Sequence, residues 1–101
     1  MSRRALIWSP DAISDLREIA DYIARDKPGA ARRWSQTLAA MAEQAAERPF
    51  SGRRVSEFDR DDIRELIKRG YRVMYRVSDE LVEIVAVIEG HRRVSADILD
   101  R

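Results

Sequence analysis

The stretch from Ile63 to Ile88 constrains this chain most. It holds three consecutive runs of strand-forming residues: Ile63–Ile67, Tyr71–Val77 and Leu81–Ile88. The joints are only Lys68-Arg69-Gly70 and Ser78-Asp79-Glu80. Joints this short make the strands antiparallel neighbours. In the middle run Tyr71, Val73, Tyr75 and Val77 point one way, while Arg72, Met74 and Arg76 point the other. The third run is apolar at almost every position, which predicts a central strand covered on both faces over much of its length. A sheet of this kind has one face for a core. The leftover face is expected to turn Arg72 and Arg76 outward, where they can hold an acidic or anionic partner. The plainer reading of the same two arginines is a salt-bridged sheet surface with Glu65 and Glu83 as neighbours.

Everything ahead of this stretch reads as packing for the sheet. Ala5–Trp8 is a short apolar strand. Ser9 is placed to cap a helix that Pro10 opens, with Asp11 and Asp15 at the positive end of its dipole. Ile13, Leu16, Ala20 and Ile23 form its apolar stripe, with Ala12 and Ile19 flanking. Pro28 ends this helix near Asp26 and opens a second, which runs to about Arg48 before Pro49. Ala31, Trp34, Leu38, Met41 and Ala45 form the second helix's packing seam. Lys27, just before Pro28, is a poor cap, leaving Asp26 as the alternative. Phe50–Arg54 reads as a turn, and Val55 and Phe58 as anchors of the polar segment that reaches Asp62.

The order strand, helix, helix, three strands predicts an α+β fold of two layers. An N-terminal strand and an antiparallel helical hairpin pack on one face of a small, mostly antiparallel sheet, β-α-α-β-β-β. One domain spans 1–101, and residues 94–101 form a short helical turn or a loose tail. The chain has no cysteine, which excludes disulfides and thiolate chemistry and fits a reducing cytoplasm. No apolar run approaches the ~20 residues of a membrane span. Net charge is only +1, so there is no global nucleic-acid signature. The charge is concentrated, however: residues 64–76 carry Arg64, Lys68, Arg69, Arg72 and Arg76 against Glu65 alone. Arginine suits planar, bidentate recognition of carboxylate or phosphate.

The sequence resembles the ParE branch of the RelE/ParE toxin superfamily over nearly its whole length. Four stretches carry the resemblance: Trp8–Ala12 with Asp15-Leu16 and Ile19–Ile23; Pro28–Arg33; Pro49–Arg53; and Arg64-Glu65-Leu66 followed by Tyr71–Val77. The last, ending in a strand and Gly90-His91-Arg92-Arg93, is the most specific. The resemblance implies a toxin of a type II toxin–antitoxin pair that inhibits DNA gyrase and is neutralised by a ParD-like antitoxin in a hetero-oligomer. No cofactor and no metal are expected. The RelE branch instead cleaves mRNA on the ribosome, which requires an acid–base pair and cations around the phosphate. Arg64, Arg72, Arg76 and His91 are the candidates for that chemistry, with Glu57 or Glu65 as a base. The tail His91–Ser95 has no tyrosine, so the set is incomplete and no catalytic residue is expected. Arg64, Arg72, Met74, Arg76, His91, Arg92 and Arg93 are expected instead to bind partners. An antitoxin tail that is acidic and disordered when free suits such an arginine-rimmed surface.

Overall fold

The computed structural model describes residues 3–90 and 92–101. The chain opens with strand β1 (Ala5–Trp8), then helices α1 (Pro10–Ala24) and α2 (Pro28–Glu47). A 3-10 turn (Pro49–Ser51) leads to a two-residue strand β2 (Arg53–Arg54). Strands β3 (Ile63–Lys68), β4 (Tyr71–Val77) and β5 (Leu81–Glu89) follow, and a second 3-10 turn covers Ala96–Asp100. The sheet order is β1-β5-β4-β3-β2, with β1 parallel to β5 and every other pair antiparallel. The predicted α+β order is therefore present. The turn-like Phe50–Arg54 region contributes a fifth, short strand.

Local chemistry sets the element ends. Ser9 Oγ accepts the Ala12 N–H at 3.0 Å, and Pro10 occupies the first helical turn. Lys27 caps α2 with no side-chain hydrogen bond, so Asp26 does not take over; Pro28 alone marks the start. The Lys68–Tyr71 reversal puts Arg69 and Gly70 at φ of 52° and 82°, the left-handed pair that a two-residue hairpin turn requires.

Two cores flank the sheet. On the helix side, Leu38, Met41, Ala42 and Ala45 of α2 meet Val73, Tyr75, Val82, Ile84 and Val87. The α1 contribution is Ala12, Leu16 and Ile19, so its buried stripe is rotated from the expected one toward the flanking pair. The second core joins Val55, Ile63, Met74, Val85, Ala86 and Ile88, with Phe58, Val94, Ile98 and Leu99 packed against it. This corrects the expectation of an open second face. The Val55–Asp62 segment and the tail cover it, and Met74 is fully buried.

A bulge makes the double burial of β5 possible. Met74 faces Ala86 while Tyr75 faces Ile84, leaving Val85 as the extra residue. The parity of side chains flips there: Val82, Ile84 and Val87 join the helix-side core, whereas Val85, Ala86 and Ile88 join the second. β1 pairs only as far as Ile84. Beyond it the Val87 N–H donates to Asp15 Oδ2 at 3.0 Å, so α1 substitutes for the missing strand. Among the described residues no helix is long and apolar enough to cross a membrane.

Candidate functional site

The second sheet face is organised around one buried guanidinium. Ile67 and Arg72 are direct partners across β3 and β4, so Glu65, two residues from Ile67 on the same face, lies diagonal to Arg72. Arg72 Nε donates to Glu65 Oε1 at 2.6 Å, and Nη2 donates to Glu57 Oε1 at 3.0 Å. Arg72 Nη1 donates to Glu57 Oε2 at 3.1 Å and to the Arg92 carbonyl at 3.0 Å. Glu65 Oε2 accepts from Arg53 Nε at 2.8 Å, and Glu57 Oε2 accepts the Val94 N–H at 3.2 Å. The Arg72 and Glu57 side chains are 7% and 8% exposed, and that of Glu65 is 0%. This satisfies the rule that a buried charge is paired and hydrogen-bonded. The network also ties the tail to the sheet through two backbone groups.

The electrostatics follow from these contacts. Hydrogen bonds from Arg72 pull the Glu57 carboxyl from its ordinary 4.5 to about 2, against burial, which pushes it up. For Arg72, burial pulls downward, but the hydrogen bonds and charges of Glu57 and Glu65 outweigh it and hold the guanidinium above its ordinary value. At neutral pH the carboxylate is ionised and a weak base. The guanidinium has little donor capacity left for an outside phosphate or carboxylate.

The sequence grouped Arg64, Arg72, Met74, Arg76, His91, Arg92 and Arg93. The structure separates them. Arg64 lies opposite Tyr75 and reaches the Gly52 carbonyl (3.1 Å) and Asp61 Oδ1 (2.7 Å), with its guanidinium over the Phe50 ring. Arg76 is only half-buried, but its Nη2 donates to the Leu99 carbonyl at 2.8 Å and its Nε is enclosed. The expectation that Arg72 and Arg76 project outward to a partner is thus corrected: the tail takes both. The salt-bridge reading holds for Arg72 with Glu65. Arg76 faces Glu83 in register but forms no ion pair with it. Arg92 and Arg93 are exposed, and neither guanidinium has an ion-pair partner among the described residues. His91 lies outside the described residues.

Two contributors escaped the sequence reading. Glu57 was weighed only as a base; its role as the clamp on Arg72 and Val94 depends on a segment with no periodicity. Asp15 was read as a helix-dipole residue, yet it holds Val87 and, at 2.8 Å, Arg101 Nη2. The available signal was the i, i+4 spacing of Asp11 and Asp15, since Arg101 contacts both.

The chain thus builds a helical hairpin on a five-stranded mixed sheet, the expected β-α-α-β-β-β order with the short β2 added, an architecture it shares with the RelE/ParE toxins. Residues 6–94 match the model of the ParE toxin of the type II toxin–antitoxin system parDE, and the chain belongs to that family. Y4kP of Sinorhizobium fredii, a toxin by designation, is 35% identical over 97 residues, covering 92% of this chain and 95% of that protein. Toxin RelE2 of Caulobacter vibrioides is 36% identical over 83 residues, covering 81% and 90%. A chain of the chromosomal ParDE system of P. aeruginosa superposes with TM-score 0.73 at 18% identity, covering 88% of this chain and 98% of that one. A chain of the RelBE2 toxin–antitoxin complex of Mycobacterium tuberculosis gives TM-score 0.65 at 17% identity, covering 87% and 99%. At these identities the two structures speak for the fold.

Proposed function

We propose that this toxin stops growth by binding DNA gyrase in an unproductive complex, without turning over a substrate, and that a ParD-like antitoxin neutralises it in a hetero-oligomer. Membership of the ParE family supports the gyrase target. The observation that carries the non-enzymatic reading is the clamped Glu57–Arg72 pair. A carboxylate held at about 2 is a poor general base, and the same pair consumes the guanidinium that would steady a reacting phosphate. Purified toxin is expected to convert gyrase supercoiling into trapped, cleaved DNA. Unaffected supercoiling at a large molar excess of toxin refutes the reading.

Of the residues singled out in the sequence, Arg92 and Arg93 are exposed, have no ion-pair partner among the described residues and suit an acidic antitoxin segment. The pair Arg92→Glu and Arg93→Glu should weaken antitoxin binding at least tenfold, and Arg3→Glu far less. Equal effects remove this assignment.

One observation favours the ribonuclease alternative. Glu57 and Arg72 both bind the Arg92–Val94 backbone, which directly follows His91 in the chain. Primer extension on a translated message separates the readings. Cleavage lost in both His91→Ala and Glu57→Gln would favour RNA cutting, and no cleavage by the parent would exclude it.

A further inference from the structure

Most buried or half-buried arginines of this chain are spent internally. One cationic hollow is not. Ala30, Arg33, Trp34, Thr37 and Leu38 of α2 face Lys68 and Arg69 of the β3–β4 hairpin across a space of about 260 Å³. That is several times the ~30 Å³ share of one water, enough for a hydrated phosphate group. Arg33, Lys68 and Arg69 are all exposed, and none has an ion-pair partner among the described residues. Among the described residues no carboxylate lines the hollow. Glu89, opposite Tyr71 in the sheet, is the nearest acidic position in register with the hairpin.

The placement is electrostatically unrelieved. Arg33 Nη1 folds back to the first turn of α2, about 3.4 Å from where a side chain on Gly29 would begin. That turn has no acidic residue and its N-cap Lys27 supplies no side-chain acceptor. The helix end already carries partial positive charge, so a guanidinium there is unfavourable until an anion arrives. The hairpin places two more cations opposite. The left-handed Arg69-Gly70 turn sets the backbone from which Arg69 leaves the tip. Three cations with no acid between them suit repeated monoanionic phosphates better than an acidic peptide, which carries its charge on flexible side chains and needs main-chain or apolar contacts as well.

We propose that the hollow between the first turns of α2 and the β3–β4 hairpin is a phosphodiester-backbone site, through which the toxin contacts nucleic acid without reading bases. The proposal does not depend on gyrase being the target: it concerns a direct contact of toxin with nucleic acid, whereas the supercoiling assay concerns the enzyme. The test is fluorescence anisotropy of a labelled 20-base-pair DNA duplex with the purified toxin, titrated from 50 to 200 mM salt. Binding should weaken linearly on a log–log plot. The triple variant Arg33→Gln, Lys68→Gln, Arg69→Gln should bind at least tenfold more weakly at 50 mM and lose about 2–3 from the slope, as expected for that many lost phosphate contacts. Arg17→Gln in α1 with Arg25→Gln at its C-cap, exposed arginines with no ion-pair partner among the described residues, should leave both unchanged. A duplex RNA of equal length distinguishes the source: equal binding supports a backbone site common to both, and binding of one duplex alone assigns it. Circular dichroism melts of the variants confirm folding, since all substituted side chains are exposed. No duplex binding by the parent overturns the proposal, as does an unaltered slope in the triple variant. So does displacement of DNA by poly-glutamate at equal charge concentration, or by inorganic phosphate at constant ionic strength.

Discussion

Glu57→Gln is the substitution that tests the clamp most directly. Glutamine preserves the shape and one acceptor but removes the charge. Arg72 then remains 7% exposed with Glu65 as its only anionic partner. The displacement of the Glu57 carboxyl from 4.5 to about 2, at 1.36 kcal/mol per pH unit, sets a ceiling of about 3 kcal/mol. Solvent at the rim of the site screens part of this, so a loss of about 2–3 kcal/mol at pH 7 is expected. That matches the usual cost of weakening a charge-assisted buried hydrogen bond. For a chain of this size it lowers Tm by about 10–20 °C. Against a total of about 5–15 kcal/mol the variant stays folded. The sign with pH is fixed because the folded-state value lies below the unfolded one. The contribution is complete above about 4.5 and is lost as pH falls through about 2. The gap between parent and Glu57→Gln should therefore shrink to about half by pH 3. Urea unfolding followed by circular dichroism at pH 7 and pH 3 measures both. A gap below 0.5 kcal/mol at pH 7, or one that does not change with pH, refutes the clamp reasoning.

Three further substitutions probe the frame around it. Gly52→Ala places a methyl group against the Tyr75 hydroxyl and 2.8 Å from the Glu65 carbonyl. It should cost about 1–3 kcal/mol by overpacking, read by thermal melting, and should disturb the 2.6 Å bond from Tyr75 Oη to the Pro49 carbonyl. Met74→Ala empties a fully buried position of the second core and should cost about 2–5 kcal/mol in urea titration; a loss under 1 kcal/mol would mean the tail does not close this face. Ser9→Ala removes the α1 cap and should cost about 1 kcal/mol, whereas Ser9→Gly should cost only tenths.

The fold was legible because its signals are local. Period-two alternation gave Tyr71–Val77 to the residue, Pro28 gave the start of α2, and Ser9-Pro10 gave that of α1. The shared face of Val73, Tyr75 and Val77 was also legible, since all three join the helix-side core. The far face was not legible. Alternation says that Arg72, Met74 and Arg76 share a side, but not what lies over it. The cover comes from Val55–Phe58 and Val94–Leu99, two segments without periodicity whose apolar residues are too sparse to announce a layer. The bulge at Val85 is equally silent, because a continuous apolar run reads the same with or without an extra residue. The outward placement of Arg72 and Arg76 was misread for the same reason: arginine abundance does not reveal which guanidinium groups are already spoken for.

The parallel pairing of β1 with β5 has a temporal side. Ala5 meets Leu81, so the first strand finds its neighbour only after nearly the whole sheet has been synthesised. A nascent chain that has reached Val77 holds both helices and the first two long strands, yet nothing for β1 to join. Closing so distant a contact is also slow by chain entropy alone. The architecture thus makes closure of the sheet wait on the synthesis of β5, so the first strand made is the last to gain a backbone partner.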